Sequence, residues 1–156
     1  MRTACRALTT YGPSQLVPNA VRRPTEVSSV GRARHELVFV GNLSYGPNAD
    51  GAEWLCREVL PRLHEARVAL VGSRPGPQVL ELAADRRVTV AADVPDVTPW
   101  YRSSAVAVAP IRAGGGTRIK ILEALAHRRP VVATTVGARG LALARGDEPL
   151  VGPRRA

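Results

Sequence analysis

Residues 105–134 read AVAVAPIRAGGGTRIKILEALAHRRPVVAT, and this stretch decides the fold. It contains an apolar run at Ala105–Pro110, a loop with three consecutive glycines, a helical pattern from about Thr117 to Arg128, and a second apolar run at Pro130–Thr134. Short apolar runs on either side of a helix are typical of parallel strands buried on both faces. The stretch therefore predicts a strand–helix–strand unit.

The same alternation continues upstream. Apolar runs predict three further strands, Leu37–Val40, Arg67–Gly72 and Arg87–Ala91, and a sixth strand is predicted at Pro149–Val151. Helical spacing predicts a helix from Trp54 to Leu63 that Pro61 kinks or ends, and shorter helices at Val79–Ala84 and Pro95–Arg102. The pattern predicts an α/β fold, a Rossmann-like doubly wound parallel sheet that forms a single domain over residues 36–151.

Composition and charge narrow the function classes. The 156 residues carry a net charge of +9, but residues 1–34 hold six arginines against one acid, whereas residues 35–151 hold 14 basic against 12 acidic residues. We expect an irregular leader over residues 1–35 and a tail over residues 152–156. A nearly neutral domain with 4% aromatic residues argues against a nucleic-acid binder. The sequence has no apolar stretch of about 18 residues and no secretory signal, so we expect a cytoplasmic protein with at most peripheral membrane association.

Two loops follow predicted strands, where ligands of open parallel sheets bind: Gly41–Asp50 and Ile111–Arg118. In the second loop, Gly114, Gly115 and Gly116 let the backbone approach a ligand closely. Unpaired N–H groups from Thr117 onward face the same place, and three basic side chains crowd it, those of Arg112, Arg118 and Lys120. This combination predicts a phosphate or diphosphate site.

Glu123 follows Thr117 by six residues, about 9 Å along a helix, and its side chain leans back toward the helix start. It is therefore placed to accept hydrogen bonds from ribose hydroxyls. Two plainer interpretations stay open: the glycines form only a flexible turn, or Lys120 and Glu123 form a solvated ion pair at i,i+3. We expect His127 on the surface, Trp54 in the core, and Trp100 and Tyr101 either capping the sheet or lining its edge.

Several other kinds of site are not predicted. The glycine loop departs from the P-loop and dinucleotide-binding spacings, and no G-x-S-x-G element is present. No Cys/His spacing fits zinc, and no tight acidic pair fits a metal-bound diphosphate. We therefore expect no metal site and no cofactor, and a buried, structural Cys56.

Three stretches carry a resemblance to a known family: LVPNAV at Leu16–Val21, FVGNLSYGPNADG at residues 39–51, and residues 93–141, which contain the stretch quoted first. They resemble the C-terminal half of retaining glycosyltransferases of the GT-B fold, in the large family four that includes sucrose and glycogen synthases. The subgroup that they resemble is the bacterial sugar transferases of exopolysaccharide biosynthesis.

The resemblance implies a donor substrate that is a nucleoside-diphosphate sugar, with Glu123 contacting its ribose. A second glutamate of the family falls at Gly115, and Asn42 and Asn48 stand in the first loop where the family has an arginine and a lysine. Arg118 and Lys120 are then expected to neutralise the diphosphate. The reaction implied is metal-independent, and the sugar keeps its anomeric configuration.

The resemblance also implies partners. The family's N-terminal acceptor domain has no counterpart in this sequence, so we expect a fragment that is inactive alone. The expected partners are the nucleotide sugar and either a separate acceptor domain or a glycan or lipid-linked acceptor. The alternative is a non-catalytic nucleotide-binding remnant or interaction module.

Overall fold

Five parallel strands form one sheet in the computed structural model, which describes residues 20, 21, 24 and 35–141. The strands are β1 (His35–Val40), β2 (Val68–Gly72), β3 (Val88–Ala92), β4 (Ser104–Ala109) and β5 (Val131–Ala133). Their order is β3-β2-β1-β4-β5, and all neighbouring pairs are parallel. The predicted α/β, Rossmann-like fold is confirmed, and each of the five strands lies within two residues of its predicted bounds.

The sheet is covered on both faces because successive strand residues point to opposite sides. In β1, Leu37 and Phe39 face one core, and Val38 and Val40 face the other. The first core packs under α1 (Gly46–Trp54) and α2 (Pro77–Leu80), and the second under α3 (Thr98–Arg102) and α4 (Ile119–Ala126). A short α5 (Thr135–Ala138) follows β5.

Helix α1 begins earlier than the spacing predicts. The predicted loop Gly41–Asp50 is wrong from Gly46 onward, since α1 starts there with Pro47 in its first turn. Proline suits the first turn, where its missing N–H would have no intrahelical partner. The helix continues through a wide turn and ends in a 3₁₀ turn, Leu60–Arg62, so Pro61 lies at the end, as predicted.

Helix α4 is shorter than predicted at both ends. Gly116 has φ +98°, and Arg118 has φ −92° and ψ 45°, so neither continues a helix toward Thr117. At the other end Arg128 has φ +54°, a left-handed conformation that stops the helix. Backbone conformation at these positions, which an apolar pattern does not report, sets the ends of α4.

Two predicted burials are wrong, and a third is decided by the structure. Tyr101 is 1% exposed and belongs to the second core, on one face of the sheet, so of its two predicted positions the one at the sheet edge is not found. His127 is buried rather than superficial, because its ring stacks on that of Tyr101 with 5.0 Å between centroids. Trp54 is half-buried because it lines an open apolar groove beside β4. Cys56 is buried, as predicted.

Some predicted features lie outside the described residues: the strand at Pro149–Val151, the tail at residues 152–156 and most of the leader. His35, assigned to the leader, is the first residue of β1. None of the helices in the described part of the chain is long and apolar enough to cross a bilayer.

Two glycines of α1 provide a test of the packing of this helix against β4. A Cβ on Gly51 would lie 2.8 Å from the carbonyl oxygen of Pro110, whereas a Cβ on Gly46 would meet nothing within 4 Å. We expect Gly51→Ala to lower the free energy of unfolding by about 1–3 kcal/mol through overpacking. Gly46→Ala should leave it unchanged or raise it slightly, because alanine favours helix. Urea unfolding of both variants measures the difference, and equal stabilities would contradict this packing.

Candidate functional site

The two predicted loops meet where β1 and β4 lie side by side. From β1 the chain continues toward β2, and from β4 toward β5 on the opposite side, so the loops diverge and leave a crevice at the carboxyl edge of the sheet. A cleft of about 250 Å³ lies there. Its lining residues are Tyr45, Pro47, Asn48, Ile111, Gly115, Gly116, Thr117, Arg118, Lys120 and Gly137.

Lys120 holds the positive charge of this cleft. Its Nζ donates a hydrogen bond of 2.6 Å to Asn48 Oδ1 and lies 4.6 Å from the centroid of the Phe39 ring. Among the described residues, no carboxylate lies within ion-pair distance of this ammonium. The solvated ion pair with Glu123 is therefore not formed. Burial, helped by the nearby positive charge of Arg118, lowers the pKa of Lys120 to about 8.

Two asparagine side chains, one in the loop after β1 and one at the start of α1, support Lys120. Asn48 Nδ2 donates 2.7 Å to the carbonyl oxygen of Asn42, which turns Asn48 Oδ1 toward the lysine. The Asn42 side chain points into its own turn, where its Oδ1 accepts from the backbone and hydroxyl of Ser44. Both asparagines thus shape the loop, and of the two only Asn48 lines the cleft.

The glycine loop has the open backbone that its sequence predicts. Gly114 and Gly116 adopt φ +99° and +98°, which residues with a side chain rarely adopt. A Cβ on Gly114 would lie 2.9 Å from Pro47, whereas Gly115 and Gly116 face open space. No side chain caps the start of α4, which follows this loop. The glycines are therefore a conformational requirement and leave room for a ligand beside a helix N-terminus.

Arg118 is turned toward its own loop. Its guanidinium donates 2.7 Å to the carbonyl oxygen of Gly116 and 2.7 Å to that of Val136. These bonds join the glycine loop to α5, which adds Gly137 to the cleft wall. Sequence reasoning missed this contribution, although α5 follows the carboxyl end of β5 at the same sheet edge.

Arg112 does not join the charge cluster that the sequence predicts. It is exposed and forms an ion pair with Asp50 of α1, to which its Nε donates 3.0 Å. The hydrogen bond and the charge of Arg112 hold the pKa of Asp50 below its usual value. This pair joins the two loops on the outside, and Arg112 does not line the cleft.

Glu123 faces a second cavity, of about 350 Å³, which Lys120 does not line. The cavity is lined by Ala20, Val21, Pro24, Val97, Thr98, Ile119, Glu123 and His127. Glu123 is half-buried, and burial raises the pKa of its carboxyl, while the Tyr101 hydroxyl and Lys120 act in the opposite direction. The predicted diphosphate and ribose residues thus line two separate cavities along one helix.

Comparisons with known proteins agree with this architecture. The family model described as "Glycosyl transferases group 1" matches residues 34–155. The chain is similar to a crystal structure of TarM, with TM-score 0.62 and 14% identity over 85% of this chain and 28% of that chain. It is also similar to a mutant of S. aureus TarM in complex with fondaparinux, α-GlcNAc-glycerol and UDP, with TM-score 0.64 and 14% identity over 94% of this chain and 31% of that chain. No curated protein matches the sequence. The chain spans less than a third of these TarM chains, and at this identity the likeness shows a shared fold.

The half-buried ammonium of Lys120 makes stability depend on pH. Its folded pKa of about 8 lies below the usual lysine value of 10.5, so between these values the unfolded chain binds more protons and stability rises with pH. From pH 8 to pH 10 we expect the free energy of unfolding of the native chain to rise by about 1–2 kcal/mol relative to Lys120→Met. Urea unfolding at the two pH values measures this difference. Parallel pH profiles would show that Lys120 is not buried.

Proposed function

The chain belongs to the group 1 glycosyl transferases, and from this membership we propose that it binds a nucleoside-diphosphate sugar as the donor half of a retaining GT-B enzyme. The family four assignment and a role in bacterial exopolysaccharide synthesis are parts of the same proposal. The sugar would pass to a glycan or lipid-linked acceptor held by a second domain. Residues 93–141, which carry the resemblance, include the glycine loop and α4.

The observation that carries the proposal is the half-buried Lys120 ammonium in the cleft, which has no carboxylate within ion-pair distance among the described residues. Removing a cation from water costs free energy unless an opposite charge comes close. Asn48 and the Phe39 ring offer partial compensation. A diphosphate at the mouth of the cleft would supply the missing negative charge.

The backbone around Lys120 suits the same ligand. Gly115 and Gly116 present open backbone next to the uncapped start of α4, where free N–H groups and the helix dipole favour an anion. Thr117 lines the cleft at this point. We assign the diphosphate to Lys120 and to the amides of residues 114–117, with Arg118 holding the loop and adding positive charge nearby.

In the proposed reaction, the bond between the anomeric carbon and the diphosphate oxygen breaks, and the acceptor hydroxyl oxygen bonds to that carbon from the same face of the sugar. The hydroxyl proton passes to the departing diphosphate. Negative charge grows on the departing diphosphate as that bond breaks. Lys120 and the loop amides would stabilise this charge from fixed positions, which is where preorganised donors act most strongly. Glu123 would hold the ribose from its own cavity, and the acceptor would approach from the second domain.

A second candidate is a nucleotide-binding module without transferase activity. One feature favours it: Gly115 stands where the resemblance implies a second glutamate, so a carboxylate that the family carries in this loop is replaced by open backbone. Both candidates predict nucleotide binding at the same cleft. They differ in whether sugar is transferred once an acceptor domain is supplied.

Lys120 provides the first test of the diphosphate site. Titration calorimetry with UDP, GDP and ADP should identify one that binds, and Lys120→Met should weaken its binding by about 1.5–3 kcal/mol through loss of a charged hydrogen bond. Native affinity should fall above pH 8, because Lys120 loses the proton that attracts the diphosphate, and the variant should lack this fall. Arg86→Met, an exposed site before β3, serves as the matched control. Equal affinities for the native chain and Lys120→Met would remove Lys120 from the site.

Glu123 tests the ribose assignment. Glu123→Ala should weaken binding of the same nucleotide by about 1–3 kcal/mol, through the loss of hydrogen bonds from ribose hydroxyls to a charged group. The exposed Glu81→Ala controls for the overall loss of one negative charge. Unchanged calorimetric affinity in Glu123→Ala would show that this carboxylate does not contact the nucleotide.

Activity separates the two candidates. We expect no measurable transfer from radiolabelled nucleotide sugars by the chain alone, because the positioning of both reactants supplies a large share of the rate, on the order of 7–11 kcal/mol in favourable cases. Transfer should appear when an acceptor domain of a related enzyme is added together with lipid or glycan acceptors. Nucleotide binding without transfer under either condition would favour the non-catalytic module.

A further inference from the structure

The Tyr101 hydroxyl lies between the two cavities and takes no part in the proposed diphosphate site. It comes from α3, which packs against α4, and the side chain is 1% exposed. The hydroxyl lies 3.3 Å from the carbonyl oxygen of Lys120 and 3.5 Å from Glu123 Oε2. A phenylalanine would fill the same core volume, so the hydroxyl adds hydrogen bonding rather than packing, and its one proton is shared between these two acceptors.

This hydroxyl favours the ionised form of Glu123. Burial raises the pKa of Tyr101 far above its usual value, so the hydroxyl keeps its proton and remains a donor. Its hydrogen bond to Oε2 lowers the pKa of Glu123, against the effect of burial. An ionised carboxylate is acceptor-only and has about four acceptor sites, so Glu123 can accept from ribose hydroxyls on both oxygens while Oε2 also accepts from Tyr101.

The cavity beyond Glu123 fits a nucleoside in its chemistry. Val97 and Ile119 give it apolar walls, and Thr98 and Glu123 give it polar groups. His127 lines it as well; this residue is 8% exposed, and its Nδ1 has no hydrogen-bond partner in the described part of the chain. The cavity thus offers a flat, half-apolar space next to a carboxylate.

We propose that Tyr101 is a positioning residue that fixes the Glu123 carboxylate for a ribose diol, so that the site selects ribonucleotides over 2′-deoxyribonucleotides. The inference rests on the proposed function and deepens it. Tyr101 itself does not touch the nucleotide. It acts on Glu123 through one hydrogen bond, which its hydroxyl donates to Oε2.

Other charged and titratable groups near Glu123 also affect the pH dependence of nucleotide affinity. Tyr101 faces it from α3, and Lys120 and His127 lie on α4. Asp96 and Arg102 flank His127. In Tyr101→Phe the ring stays over His127, so the titration of His127 is common to the native chain and the variant. A shift between their pH profiles then reports on Glu123.

The experiment compares affinities for two sugars. The tightest binder among UDP, GDP and ADP is titrated alongside its 2′-deoxy analogue, with the native chain, Tyr101→Phe and Glu123→Ala, from about pH 5.5 to pH 8. The native chain should prefer the ribonucleotide by roughly tenfold or more, the value of one hydrogen bond to a charged group, and Glu123→Ala should lose this preference. Tyr101→Phe should reduce the preference at least threefold and leave the affinity for the 2′-deoxy analogue within twofold of the native value. As the pH is lowered, the variant should lose its preference for the ribonucleotide at a higher pH than the native chain does.

The possible results distinguish a failure of this inference from a failure of the proposed function. An unchanged preference in Tyr101→Phe overturns the inference even if the variant is less stable, because a purely structural tyrosine would weaken both ligands equally. Equal binding of the two sugars by the native chain overturns the inference and leaves the diphosphate site standing. Failure of all three nucleotides to bind overturns the proposed function itself.

A second measurement does not depend on the folding of Tyr101→Phe. The chain has three tyrosines, Tyr11, Tyr45 and Tyr101, so 3-fluorotyrosine labelling gives three fluorine resonances. Tyr45→Phe and Tyr11→Phe assign them by elimination. The Tyr101 resonance should move more with the ribonucleotide than with its 2′-deoxy analogue, and equal shifts overturn the inference.

Discussion

β1 and β4 hydrogen-bond to each other at the centre of the sheet, although the chain reaches β4 only after forming β2 and β3. This pairing brings the loop after β1 against the loop after β4, with the two chains departing in opposite directions. One hydrogen bond, from Lys120 to Asn48, then joins α4 to the start of α1 across the crevice. The cleft, its charge and the orientation of α4 all depend on this meeting of two distant loops.

The charge at this meeting point is costly for the fold. A half-buried ammonium with no carboxylate at ion-pair distance in the described part of the chain weakens the free protein, and the lowered pKa of Lys120 reflects that cost. Such arrangements are concentrated at functional sites, where a ligand completes the electrostatics. Arg118 differs, because its hydrogen bonds to the carbonyls of Gly116 and Val136 use its charge to hold the loop. One cation thus faces the ligand space, and the other holds the walls of that space.

The strands were predictable because runs such as Ala105–Pro110 are apolar at every position. Continuous apolar runs of this length are typical of strands that are buried on both faces. The location of the cleft was predictable for a related reason: the glycine loop joins a buried strand to a helix at the ligand-binding edge. The ends of α1 and α4 were not predictable, because a proline in the first turn and the left-handed Gly116 determine them. Local backbone conformation, unlike burial, leaves no apolar pattern.

Side-chain directions were the least predictable part. The sequence placed Arg112, Arg118 and Lys120 in one cluster, but the ion pair with Asp50 removes Arg112 from it, and Arg118, which does line the cleft, turns its guanidinium toward loop carbonyls. The burial of Tyr101 and His127 depends on how α3 packs on α4. This is a tertiary contact between segments that are distant in the sequence. The contact between Tyr101 and Glu123 could be found only from the structure.

The central claim is that a diphosphate sits on the glycine loop beside Lys120, and backbone amide NMR tests it most directly. Titrating inorganic pyrophosphate into the ¹⁵N-labelled chain isolates the diphosphate from any contribution of base or ribose. The account predicts the largest amide shifts over residues 114–120, with the amides of β3 and α2 unaffected. Shifts centred elsewhere on the domain, with residues 114–120 unmoved, would contradict it.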